Sequence, residues 1–164
     1  MNYNNLAQKT NFTAGSDKFK NLPFYLTSIN IPGINFSLPE VGGRAGSRLA
    51  LAGDVLTYNG LSFEMLIDED FNIYHEFMDQ VIQNISPTSG QYADNSFDFW
   101  VEINNNKGHK ILKIEFTNCR IESIGDIFMS TIDDSTESIM TVDVKYDHYT
   151  IIKNERSIPV LATE

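Results

Sequence analysis

From Ser96 to Ile103 the chain alternates, with Phe97, Phe99, Val101 and Ile103 on one face and Asp98, Trp100 and Glu102 on the other. A period of two over this length predicts a half-buried β-strand. Asn104 to Gly108 is rich in turn formers, and "KILKIEF" (110–116) predicts the returning strand. Upstream, "FYLTSINI" (24–31) reads as a strand closed by Pro32-Gly33, and "INFSLPEV" (34–41) as an extended segment broken by Pro39. "RLALAGDVLT" (48–57) and "LSFEMLI" (61–67) flank Tyr58-Asn59-Gly60, and Asn-Gly between apolar runs predicts a tight hairpin. Downstream, "CRIESIGDIFMS" (119–130) predicts a short strand and an irregular stretch around Gly125. The polar loop "DDSTE" (133–137) then leads into the longest strand, "SIMTVDVKYDHYTI" (138–151).

One segment changes period. In "DEDFNIYHEFMDQVIQNI" (68–85), Phe71, Tyr74, Met78, Val81 or Ile82, and Ile85 recur at spacings of three and four. That is the apolar stripe of an amphipathic helix. Asp68 is placed to cap it, Glu69 and Asp70 suit the positive end of its dipole, and Ser86-Pro87 stops it. Six to seven strands around this helix predict a mainly β fold, an antiparallel β-sandwich or partly closed barrel with one flanking α-helix. The boundaries that follow are an N-terminal arm over 1–20, a β domain over 21–152 with its helix at about 69–85, and a C-terminal tail over 153–164. The arm is polar and ordered only if something holds it.

Composition and charge narrow the function classes. The 164 residues suit one domain, and no apolar run approaches the ~18 residues of a membrane helix. The polar N-terminus shows no apolar region of a signal peptide, and the one cysteine, Cys119, allows no internal disulfide. Both features fit a protein made in a reducing cytosol. The net charge of −10 is unevenly spread. Residues 1–60 hold five bases against three acids, and the remainder holds seven bases against 19 acids. Wrapping free DNA by phosphate neutralisation needs the opposite sign. A basic head and an acidic body do suit attraction between copies.

Catalytic motifs are missing from the pattern. "VGGRAG" (41–46) has no following Gly-Lys-Ser/Thr, and a predicted hairpin rather than a helix comes next, so neither a phosphate loop nor a dinucleotide fingerprint fits. His75, His109 and His148 fall in different elements without zinc spacing. "DEDFN" lacks the glycine and distal glutamate of a calcium loop, and no serine or cysteine stands in a nucleophile elbow. No enzyme, metal or cofactor is expected.

Contact surfaces remain. The glycines and arginines of Val41 to Gly60 allow close backbone approach, so Gly42, Gly43, Arg44, Gly46, Arg48, Asp54 and Tyr58 are candidate docking residues, with a plain surface loop as the alternative. Trp100 on a polar strand face is a candidate subunit contact, or a core residue in another register. Glu64, Asp98, Glu102 and Asp143 are acids on polar strand faces, candidates for an acidic interior if copies close into a ring, or simply for solubility.

The order of the pieces resembles a known family. "KFKNLPFYLTSINIPG" precedes a Pro-containing link, and "RLALAGDVLTYNGLSFEMLIDEDFNIYHEFMDQVI" runs a predicted hairpin into the acid-capped helix. "FTNCRIESIGDIFMSTIDDSTESIMTVDVKYDHYTI" then closes the domain. Over residues 18–151 this is similar to the tail tube proteins of contractile-tailed bacteriophages, fold relatives of the type VI secretion tube protein. The resemblance implies a structural virion protein in six-membered rings stacked into a hollow tube, its subunits' strands joined in one inner β-barrel. It implies sheath, baseplate and tape-measure proteins as partners, DNA as passing cargo, and the host envelope as the barrier crossed. Assembly in the host cytoplasm and a place in the tail follow, with no cofactor. By position, Val41 to Gly60 would reach the adjacent ring and the helix would pack outside the barrel. A type VI-like tube, a tube initiator of the baseplate and a specialised cap share these physics. A monomeric carbohydrate-binding β-sandwich, using Trp100 as its platform, is the alternative of another class.

Overall fold

The structure is a computed structural model and describes residues 8–36, 40–42, 48–50, 56–85, 95–132, 137–153 and 156–160. In chain order its elements are β1 (Phe12–Ser16), a helical turn α1 (Leu22–Tyr25), β2 (Leu26–Asn30), β3 (Ile34–Phe36), β4 (Glu40–Gly42), β5 (Arg48–Ala50), β6 (Leu56–Tyr58) and β7 (Leu61–Leu66). The helix α2 (Asn72–Ile85), β8 (Phe97–Asn104), β9 (Lys110–Ile124), β10 (Ile139–Lys145), β11 (His148–Lys153) and β12 (Arg156–Val160) follow.

Alternation writes the core. Leu61, Phe63 and Met65 of β7, Phe97, Phe99 and Val101 of β8, and Met140, Val142 and Val144 of β10 are all buried, while the residues between them point outward. Phe63 stacks on Phe99 at 5.5 Å between ring centroids, so the inner faces of β7 and β8 oppose each other. Each such ring removed from water contributes roughly 1.5–3 kcal/mol.

The main sheet has eight antiparallel strands along the path β1-β8-β9-β10-β7-β2, with β11 on β9 and β12 on β11. It becomes two layers because β9 turns a corner. Ile114 and Phe116 face the core, then Asn118 takes φ 54 and Cys119, not Asn118, is buried. One inserted residue flips the parity and bends the strand. Residues before the corner pair with β8 and β11, Cys119 still opposes Phe97 of β8, and those from Arg120 on pair with β10. The opposite chain bends at the same place, between β10 and β11, where Asp147 N–H donates to Thr117 O at 3.2 Å. Asn118 Nδ2 donates to Asp147 Oδ2 at 2.9 Å and latches the corner. The first layer is therefore β1, β8, the first half of β9, β11 and β12, and the second is the rest of β9, β10, β7 and β2.

Several expectations need correction. The strand expected over 24–31 begins at Leu26, because Pro23 seeds a helical turn with Leu22 buried. The runs 110–116 and 119–124 are one strand, and 138–151 is two. Within 1–20, β1 is held by β8, the kind of partner the arm needed for order, and within 153–164 β12 lies on β11. Helix α2 begins at Asn72 rather than Glu69. Phe71 takes φ 56, and the Asp68 carboxylate reaches past it to accept the N–H groups of Asn72 and Ile73, each at 3.0 Å. Those bonds, led by Ile73's, hold the Asp68 carboxyl below its usual range. Phe71 thus sits outside the helical phase, and the buried stripe is Ile73, Phe77 and Gln80, with Ile82 exposed. Phe77 stacks on Phe19 at 4.2 Å and meets Phe63 edge-on, which seats α2 against the core. Gln80 bonds the Asn95 carbonyl.

The expected hairpin at Tyr58-Asn59-Gly60 does not form. A tight primed turn needs positive φ at its central residues, and neither Asn59 nor Gly60 has it. Instead β6 pairs with β3, and β4 pairs with β5, as two separate two-stranded antiparallel ribbons.

Candidate assembly surfaces

The β3–β6 ribbon is rooted by aromatic packing. Tyr58 lies 6.1 Å from the Tyr146 ring and 5.8 Å from the Tyr149 ring, and Tyr146 in turn packs on Phe116 at 5.0 Å. Tyr146 Oη donates to Asn59 O at 2.8 Å, and Asn59 N–H donates to Gly33 O at 3.2 Å. Burial raises all three tyrosine hydroxyls above their ordinary range. Among the candidate docking residues, Gly42 pairs with Arg48 between β4 and β5, and Tyr58 sits at the ribbon's root. Gly43, Arg44, Gly46 and Asp54 lie outside the described residues.

The four candidate acids divide between two faces. Asp98 and Glu102 stand with Trp100 on the outer face of the first layer; Glu64 and Asp143 stand on the outer face of the second. Because the layers pack inner face to inner face, these outer faces look in opposite directions, and one cavity cannot take all four. Their company differs too. Glu102 pairs with Lys110 at 2.5 Å, Glu115 beside it pairs with Lys113, and Asp98 accepts the Asn118 N–H at 3.2 Å. Glu64 instead accepts from Ser28 Oγ at 2.8 Å and Asp143 from Ser123 Oγ at 2.7 Å. A hydroxyl leaves the carboxylate charge in place, whereas a lysine offsets it.

Trp100 is half-buried between strands. It opposes Gly15 of β1 and Glu115 of β9, and Lys113 Nζ lies 5.6 Å above its ring. The indole thereby covers Gly15 of the edge strand β1, and the lysine caps the indole.

Two features escaped the sequence reading. The ends of the main path, β1 and β2, do not pair with each other, and between them lies a cleft of about 620 Å³ reaching the core residue Val101. Past Gly125, the loop carries Phe128, Met129 and Ile132 largely in solvent, 79%, 67% and 93% exposed. The aperiodic apolar run "IFMSTI" was the available signal for the second. The cleft follows from long-range pairing and had none. Among the described residues no group of three His, Cys, Asp or Glu is placed to hold a metal ion, and no helix is long and apolar enough to cross a membrane.

No family model matches the chain, and no curated protein matches its sequence. Solved structures match it in fold. The tube-terminating cap of the anti-feeding prophage aligns over 93% of this chain and 95% of its own, at 13% identity and a TM-score of 0.69. The fold is a tube-protein fold. The sheath/tube terminator of PVC, an extracellular contractile injection system, aligns over 90% of this chain and 97% of its own, at 9% identity and 0.66. A type six secretion system protein aligns over 90% and 88%, at 13% identity and 0.54. The resemblance in the order of the pieces is thus met in the fold. These neighbours are components of injection and secretion assemblies.

Proposed function

We propose that this chain is a tube-type structural protein whose copies form six-membered rings stacked into the inner tube of a contractile tail. The observation that carries the reading is the nearly end-to-end likeness of fold to the anti-feeding prophage cap, 93% of one chain on 95% of the other. The unpaired seam between β1 and β2 and the separate ribbons support it, since both leave surface suited to sister molecules. The second layer lines the lumen. There Glu64 and Asp143 accept from serine hydroxyls rather than from lysines, and six copies of each form a wall that repels phosphate. Tape-measure protein and then DNA pass along it without sticking. Sheath and baseplate proteins meet the outer surface, and no step is catalytic.

A second reading is favoured by one observation: two of the three neighbours above are terminators, at TM-scores of 0.69 and 0.66. In that role the chain closes a tube built by another protein. Negative-stain images of the purified protein separate the two. Tubes of unlimited length support the first, discrete rings that do not stack support the second, and a monomer at all concentrations overturns both.

A further inference from the structure

The exposed loop and the open cleft stand on opposite sides of β7, the loop joined to β10 on one edge and the cleft lined by β2 on the other. The loop leaves β9 at Gly125, whose N–H donates to Thr141 O, and rejoins the sheet at Ile139, which pairs with Leu66; the cleft runs along β2 from Thr27 to Ile31, with Ser28 opposite Glu64 and Asn30 opposite Ser62. Within one copy, β10 and β7 stand between the loop and the cleft. Phe12, Ile29, Ile31, Val101 and Ile103 give the cleft apolar walls, and Lys9 stands on its rim. No acid lines it among the described residues, in a chain of net charge −10. The loop is its complement. Its described residues, 125–132 and 137–138, carry Asp126 and Glu137 and no base beside the exposed Phe128, Met129 and Ile132. Ser138 Oγ donates to Met129 Sδ at 3.6 Å, which ties the loop back to the start of β10.

We infer that the loop 126–132 of one copy docks into the cleft between β1 and β2 of a second copy, with Phe128 as its anchor and Lys9 facing the acidic flank. A large aromatic entering a desolvated pocket is the usual centre of an interface, and charges of opposite sign at the rim orient the approach. The contact is heterologous, head to tail, so repetition builds a ring or a stack. It deepens the tube reading by naming one of its contacts, and rests on that reading for its setting.

The test mixes Met129→Cys chains with Ile31→Cys chains under mild oxidation, with Ile82→Cys on α2 replacing Ile31→Cys as the control. Cys119 is buried and does not interfere. The expected result is a disulfide-linked pair in the first mixture well above the control. Phe128→Ser should raise the concentration needed for assembly about tenfold or more, the loss of one anchor. If the wild type forms tubes, no cross-link exceeds the control and Phe128→Ser assembles like wild type, the inference falls and the tube reading stands. If the cross-link forms but no ring or tube is seen, the contact stands and the tube reading falls. A monomer with no cross-link removes both.

Discussion

The indole of Trp100 occupies the space a side chain at residue 15 would need. A Cβ added to Gly15 would run into Trp100 Cζ2 and lie 2.8 Å from its Cε2, well inside contact distance. Glycine here serves close approach, and the tryptophan in exchange covers the backbone of an edge strand. Gly15→Ala should therefore destabilise the chain by about 1–3 kcal/mol, the usual cost of overpacking. As Trp100 is the one tryptophan, its emission should shift to the red when it is displaced. In a Trp100→Ala background the same glycine substitution should be nearly neutral. Equal costs in both backgrounds, read by urea denaturation, would show the two residues to be uncoupled.

The corner of β9 makes a separable claim. Asn118 combines a left-handed backbone with a side-chain bond to Asp147, and alanine loses both advantages while glycine loses one. Asn118→Ala should cost about 2 kcal/mol, chiefly the left-handed penalty of ~1–2 kcal/mol for a residue with a Cβ. Asn118→Gly should cost about 1 kcal/mol or less, the worth of one exposed bond. The nearby Arg120–Asp147 pair, at 3.5 Å and about half exposed on both sides, adds little. Urea midpoints in the reverse order, with glycine worse than alanine, would contradict the corner as the source of the bend.

Cys119 should be inert in the folded protein. Burial pushes its thiol up to about 12, and the Asp98 carboxylate adds to the shift. Only the thiolate attacks disulfide reagents, so native protein at pH 8 should not react with Ellman's reagent and urea-unfolded protein should react at once. The sign of the pH dependence follows. A folded pKa raised above the ordinary value near 9 leaves the stabilising contribution complete below pH 9, and it is lost as pH rises toward about 12. Burial moves Tyr146 and Tyr149 the same way, so they steepen the loss above pH 10. Stability that is flat across this alkaline range would be the wrong outcome.

How far these relationships could be read in advance depends on their range. The faces of β7, β8 and β10 were legible because alternation is local, and every inward residue of 97–101 is buried as its parity requires. The helix was legible in place, yet its stripe was read one step off because Phe71 takes a backbone angle no periodicity reveals. The corner at Asn118 looked like a break between two strands for a related reason: a bulge resets parity without ending the strand. Asn59-Gly60 misled because the dipeptide favours a turn only if the flanking strands pair, and β3 competes successfully for β6. The placement of Glu64 and Asp143 opposite Asp98 and Glu102 was out of reach, since it depends on which strand ends up in which layer.

That placement supports the last prediction. In a ring lined by the second layer, residue 64 faces the lumen and residue 102, on the opposed outer face, faces away from it. Glu64→Cys and Glu102→Cys both change exposed or half-exposed positions on strands whose inward faces stay intact, so both chains should fold and assemble. A small maleimide enters an open tube and should label either thiol. A bulky polyethylene-glycol maleimide diffuses poorly along a narrow lumen, so it should label residue 102 readily in assembled tubes and residue 64 only near the tube ends. Disassembly in mild denaturant should erase the difference, which separates lumen protection from local burial. Reversed protection would put the first layer and its lysine-paired acids on the lumen wall. Charge repulsion by Glu64 and Asp143 would then have no part in keeping DNA off the wall.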